Sequence, residues 1–148
     1  MLNLGLLGAG LVMGLSALGS GMGIGIAGSA TIGVWKKSYM RNKPASMLLL
    51  AFVGAPMTQV FYGYILMGQI KAAAIAYPEN GWLYIGFGLA SGLGIAFSAV
   101  GQGMAAAASA DAQGETGKGF AQYISVVGIA ETVALFVMVL SMISLTPQ

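Results

Sequence analysis

The chain has 148 residues, enough for one domain, with 57% hydrophobic and 7% charged side chains and a net charge of +2. A soluble domain is about 25% charged, so this composition excludes a solvated surface over most of the chain and points to a membrane protein. Cys and His are absent, which excludes disulfides, thiolate or imidazole metal sites and His-dependent catalysis; the small charge excess does not imply nucleic acid.

A membrane-spanning helix needs about 20 predominantly apolar residues. Four such stretches are predicted. The first covers 4–34, with no charge before Lys36. It lacks the basic start of a signal peptide and is too long for one, so it reads as a retained helix. A basic connection, 35–44, follows with Lys36, Lys37, Arg41 and Lys43. The second stretch is 45–70, and a short link, 71–81, carries Glu79. The third is 82–110, followed by 111–119 with Asp111, Glu115 and Lys118; the fourth is 120–145. Backbone polar groups facing lipid must be satisfied within each segment. The predicted fold is therefore all-α: one membrane domain over 1–148 made of two helical hairpins. The positive-inside rule puts 35–44 and 111–119 in the cytoplasm, with 71–81 and both termini outside. By charge alone the basic cluster is a topology signal; a contact with a stator or shaft is a second reading.

The hairpins look duplicated. Residues 11–22 read LVMGLSALGSGM and residues 93–104 read LGIAFSAVGQGM, with six of twelve positions identical. At another offset, Thr58 and Tyr62 lie over Thr132 and Phe136, which puts Met57 opposite Glu131. Both hairpins run in the same direction, so this is a parallel repeat rather than an inverted one. Glycines concentrate in the first and third spans, and several fall four apart: Gly10/Gly14, Gly19/Gly23, Gly21/Gly25 and Gly88/Gly92. This spacing lets helix backbones approach closely in lipid. Gly23-x-Gly25-x-x-Gly28 matches a dinucleotide fingerprint. It follows no strand and lies inside an apolar helix, so nucleotide binding is not expected there.

Glu131 is the one acidic or basic residue well inside a predicted span. Intramembrane acids cost a few kcal/mol to insert and usually mark ion paths. At 1.5 Å per residue, Thr58, Gln59 and Gln102 come to within about one turn of its depth. Tyr62 follows Thr58 by one turn, on the same face. Pro56 removes a backbone donor, which leaves a nearby carbonyl available. A carboxylate, amides, a hydroxyl and a carbonyl are hard oxygen ligands suited to Na⁺. A proton site would need the carboxyl and one acceptor. No Lys or Arg is expected inside a span, so an ionised Glu131 must bind a cation, take a proton or meet a partner's cationic residue.

These residues resemble the proteolipid rotor (c or K) subunits of V-type and A-type ATPases, most closely the sodium-translocating bacterial V-type form. The resemblance covers essentially the whole chain. It rests on the duplicated Gly-rich helices, Pro56-Met57-Thr58-Gln59 with Tyr62, Gly101-Gln102-Gly103 and Ala130-Glu131-Thr132. It implies a closed ring of identical subunits with lipid around it, turning against a stator subunit that supplies a membrane arginine. It also implies a central shaft to a soluble head where ATP is hydrolysed, so this subunit is expected to be non-catalytic. The implied sodium ligands are Glu131, Gln102, Thr58 and Gln59 by side chain and Ala55 by its carbonyl, with Tyr62 hydrogen-bonding the glutamate to close the site. Two positions depart from the family pattern. Ala55 replaces a common Leu, and Met57, in place of a common Gly, adds bulk near the site. One carboxylate per four helices means fewer ions per turn, which suits ATP-driven pumping across a plasma membrane.

Beside a purely structural four-helix membrane protein, in which Glu131 could be replaced without loss of ion transport, two alternatives accompany this reading. One is a proton-translocating rotor of the same family. The other is a small cation-coupled multidrug transporter, which would be expected to show an aromatic cage.

Overall fold

A computed structural model describes residues 3–145. It contains four long apolar helices: α1 (Gly5–Met40), α2 (Met47–Ala76), α3 (Gly81–Thr116) and α4 (Phe120–Leu145). The extreme terminal residues, with the side on which they were expected, lie outside this description. α1 and α3 lie side by side, α2 and α4 flank them, and α2 also touches α4.

Contacts between helices fix their directions. Gly8 faces Tyr84, Gly19 faces Ala96, and Gly23 faces Ala99 and Gly103, so α1 and α3 are parallel. Gly63 of α2 faces Ser16, and Pro56 faces Gly23, so α2 returns antiparallel to α1. Ser98 of α3 donates to the Ala130 carbonyl and Gln102 to that of Val127, so α4 is antiparallel to α3. The two hairpins therefore run in the same direction, as a parallel duplication requires.

Glycine makes the α1–α3 contact possible. A Cβ on Gly8 would run into the Tyr84 carbonyl, one on Gly88 into Gly8, and one on Gly103 into Gly23. The backbones touch at these points, which a larger residue forbids. Not every four-spaced pair serves this contact. Gly19/Gly23 and Gly88/Gly92 face inward, whereas Gly10, Gly14, Gly21 and Gly25 have nothing within 4 Å of a built Cβ. Period alone does not say which face is covered.

One buried row of α3 alternates in steps of three and four: Gly81, Tyr84, Gly88, Ser91, Ile95, Ser98, Gln102; Gly92, Ala96 and Ala99 are buried beside it. This spacing averages 3.5 residues, the repeat that keeps one stripe against a neighbouring helix. Two apolar clusters result. One holds Val12, Leu66, Ile70, Tyr84, Ile95 and Met138; the other holds Ala27, Val34, Leu49, Phe52, Ala106 and Val127. Polar side chains occupy the waist between them.

Three helices extend beyond the expected spans. Residues 35–40 and 111–116, expected in connections, are helical. Charge ends a hydrophobic run but does not end a helix. α1 stops where Asn42 takes φ 53° ahead of Lys43 and Pro44, and α3 where Gly117 takes φ 67° and its N–H bonds the Gln113 carbonyl. The extra turns bring Lys37 Nζ to 3.3 Å from Asp111 and 3.4 Å from Glu115, an exposed bridge between the hairpins. At the other end α2 runs to Ala76, so Lys71 lies on a helix rather than in a link, on its exposed side. Asn3 Nδ2 donates to the Ala74 carbonyl at 2.8 Å, and Tyr84 Oη donates to that of Ala73 at 3.1 Å.

The glycine contacts yield a paired prediction. Gly88→Val is expected to push α1 and α3 apart and cost about 1–3 kcal/mol. Gly86→Val, whose Cβ position meets nothing within 4 Å, is expected to change little. Thermal melting of the detergent-solubilised chain compares the two, and equal melts would contradict the backbone contact.

Candidate functional site

Pro56 sets the local geometry of the site. It sits in a 3₁₀ turn, Ala55–Met57, that interrupts α2. Proline has no N–H to donate and disrupts the α ladder before it. The Ala55 carbonyl accepts from the backbone N–H of Thr58. Thr58 Oγ1 lies 3.2 Å from that carbonyl and also 3.2 Å from Gln59 Oε1. The next turn of α2 then presents Gln59 and Tyr62 toward α3 and α4.

Three helices meet at one depth. Gln59 Nε2 donates to Gln102 Oε1 at 2.6 Å. Gln102 Nε2 donates to the Val127 carbonyl at 3.0 Å and to Glu131 Oε2 at 3.3 Å. Tyr62 Oη donates to Glu131 Oε1 at 2.6 Å. Gln59 and Gln102 are fully buried, and Glu131 and Tyr62 are half-buried. All six residues singled out in the sequence, Ala55, Thr58, Gln59, Tyr62, Gln102 and Glu131, join one continuous hydrogen-bonded network.

Both oxygens of Glu131 receive donors, the pattern that suits an ionised carboxylate. Glu131 is the one acid in this network, and among the described residues no three His, Cys, Asp or Glu side chains converge. A single negative charge balances a monovalent cation and leaves a divalent one short. On α4 the neighbours Ile129 and Val133 are 68% and 55% exposed. The carboxylate thus lies at the rim of an outward-facing surface, while its amide partners lie behind it.

Met57 is 51% exposed and is turned out of the bundle, so the bulk expected near the site lies outside it. Phe136 is 61% exposed and forms no wall. Three participants carried no strong sequence signal. The Val127 and Ala130 carbonyls are backbone groups, which residue type does not reveal. Ser98 ties α3 to α4 through Ala130 at 2.9 Å. Its spacing of four from Gln102 was the available sign.

Removal of one donor is a direct test of the network. Tyr62→Phe keeps the ring and deletes the O–H on Glu131. A hydrogen bond to a charged group contributes about 1.5–3 kcal/mol. Carbodiimide attack on Glu131 is expected to become roughly tenfold faster or more, followed by mass spectrometry. An unchanged rate would mean that Tyr62 does not guard the carboxylate.

Comparison with known proteins agrees with this arrangement. The sequence pattern of the ATP synthase C-subunit family matches the chain twice, at residues 7–67 and 85–144. The two matches fall on the two hairpins. The chain is also similar to the A-type ATP synthase subunit K of Methanocaldococcus jannaschii, 33% identical over 144 residues. That alignment covers 97% of this chain and 62% of the relative, so the chain spans less than two thirds of the relative's length. Matched across both hairpins, the chain belongs to the ATP synthase C-subunit family.

Proposed function

We propose that this chain is a rotor-ring subunit of a rotary A- or V-type ATPase and carries one Na⁺ at Glu131. The carrying observation is the continuous network from the Ala55 carbonyl through Thr58, Gln59 and Gln102 to Glu131. Five hard oxygens, one of them charged, suit a hard monovalent cation. A proton would need one acceptor, whereas both Glu131 oxygens face donors here.

The residues divide the work of an exchanging carrier. Glu131 supplies the charge, and Thr58, Gln59, Gln102 and the Ala55 carbonyl replace the water that the ion sheds. The Tyr62 hydroxyl holds the carboxylate in its inward position. The rim position of Glu131 lets a cationic side chain on a stator reach it from outside the bundle. An ionised Glu131 without its cargo would be costly in lipid, so the loaded form faces the membrane and the unloaded form faces the stator.

The outward glycines Gly10, Gly14, Gly21 and Gly25 share one face of α1. They offer a further surface for close helix approach, which supports assembly of identical copies side by side. ATP hydrolysis is assigned to a soluble head that drives the ring through a central shaft, and this chain is a non-catalytic subunit. In a plasma membrane the Lys37 end of the bundle would face the cytoplasm. One carboxylate per four helices favours pumping against a steep gradient, because moving one charge against 100 mV takes about 2.3 kcal/mol.

Carbodiimides attack the protonated carboxyl, so labelling of Glu131 across pH, with and without Na⁺, tests the reading. Protection by micromolar to millimolar Na⁺ is the expected result. Labelling that follows pH alone and ignores Na⁺ would replace the cargo by a proton.

A further inference from the structure

Ser20 of α1 is 1% exposed, and its hydroxyl is buried without a hydrogen-bond partner. A buried, unpaired hydroxyl costs stability, and native structures contain few of them. Its position is informative. Ser16 of α1 meets Gly63 of α2, and Gly23 meets Pro56. The two helices are antiparallel, so each step toward Gly23 on α1 is a step toward Pro56 on α2. Ser20 lies on the same ridge, four residues after Ser16 and three before Gly23. The matching position on α2 lies four before Gly63 and three after Pro56, which is Gln59. The unpaired hydroxyl therefore stands at the level of the site, behind the fully buried Gln59 amide.

The Gln59 amide needs such a neighbour. Its Nε2 donates to Gln102 Oε1 at 2.6 Å. That oxygen is also one of the ligands proposed for Na⁺. A cation on Gln102 Oε1 brings positive charge against the N–H that already holds this oxygen. The second lone pair of that oxygen can hold the ion, but the cation repels the N–H, and an N–H turned away from it in a dry interior requires another acceptor. By this register α1 runs behind Gln59, and no hydrogen bond occupies the Ser20 hydroxyl.

We propose that Ser20 is a positioning residue of the cation site: its hydroxyl accepts the Gln59 amide N–H when Na⁺ takes Gln102 Oε1. This rests on the sodium reading of the site. Ser20 touches neither the ion nor Glu131. It removes a penalty that loading would otherwise incur, and it has no role while Gln59 and Gln102 are bonded to each other. No covalent step is involved; one hydrogen bond is exchanged for another.

The test compares Na⁺ protection of Glu131 from a carbodiimide in native membranes carrying wild type, Ser20→Ala or Ser16→Ala. Ser20→Ala is expected to raise the half-protecting Na⁺ concentration about tenfold, the scale of one buried donor left unpaired. Its labelling profile against pH without Na⁺ is expected to match wild type, because Ser20 acts only when Na⁺ takes Gln102 Oε1. Ser16 donates to the Val12 carbonyl at 2.6 Å, one turn away, and Ser16→Ala is expected to leave the Na⁺ midpoint in place. An unchanged Na⁺ midpoint in Ser20→Ala overturns the proposal while leaving the sodium site intact. So does a matching change in the Na⁺-free profile, or an equal shift in Ser16→Ala, since either reports general loosening of α1. Absence of Na⁺ protection in the wild type overturns the sodium reading and this inference with it.

Discussion

A carboxylate halfway along a membrane helix cannot stand alone. Lipid offers it neither water nor counter-ion, so each of its oxygens needs a partner from another helix. Glu131 obtains Tyr62 from α2 and Gln102 from α3. Gln102 in turn is held by Gln59 and by the Val127 carbonyl. The requirement for partners thus draws three helices to one point, and the rest of the bundle is arranged to let them meet.

The glycines of α1 and α3 answer that requirement at the backbone. With Gly8, Gly23, Gly88 and Gly103 in contact, the two central helices occupy little width. α2 and α4 can then lie close enough to share Tyr62 and Glu131 across their boundary. Apolar clusters above and below the polar waist exclude water. Low dielectric strengthens each hydrogen bond in the network and raises the penalty for any group left out. Packing and polar chemistry are therefore coupled: a change that widens the α1–α3 contact would also lengthen the bonds that hold the carboxylate.

Much of this was legible from residue order. Apolar runs marked four helices, and counting 1.5 Å per residue placed Thr58, Gln59 and Gln102 at the depth of Glu131. The helix ends were not legible, because hydropathy reports the lipid boundary while hydrogen bonding decides where a helix stops. Residues 35–40 and 111–116 leave the apolar zone and remain helical. The direction of Met57 also escaped prediction. It depends on the twist through Ala55–Met57, where the helix tightens around Pro56. Ser20 had no distinguishing pattern, since a serine on a small-residue helix normally marks close packing. Its unpaired hydroxyl becomes visible through register and burial together.

The seam of α3 constrains how such a chain can vary over time. From Gly81 to Gln102 one row of its buried positions alternates in steps of three and four, with Gly92, Ala96 and Ala99 buried beside it. Tyr84 and Gly88 of that ladder meet Gly8 of α1, and its last rung carries the amide that faces Glu131. A substitution at an outward position leaves the ladder untouched. A single inserted or deleted residue rotates everything beyond it by about 100°, which would swing Gln102 out of the bundle while Gly88 stayed in place. Descendants of this sequence should therefore accumulate replacements along α3 far more readily than changes in its length, with insertions confined to the connections at its ends.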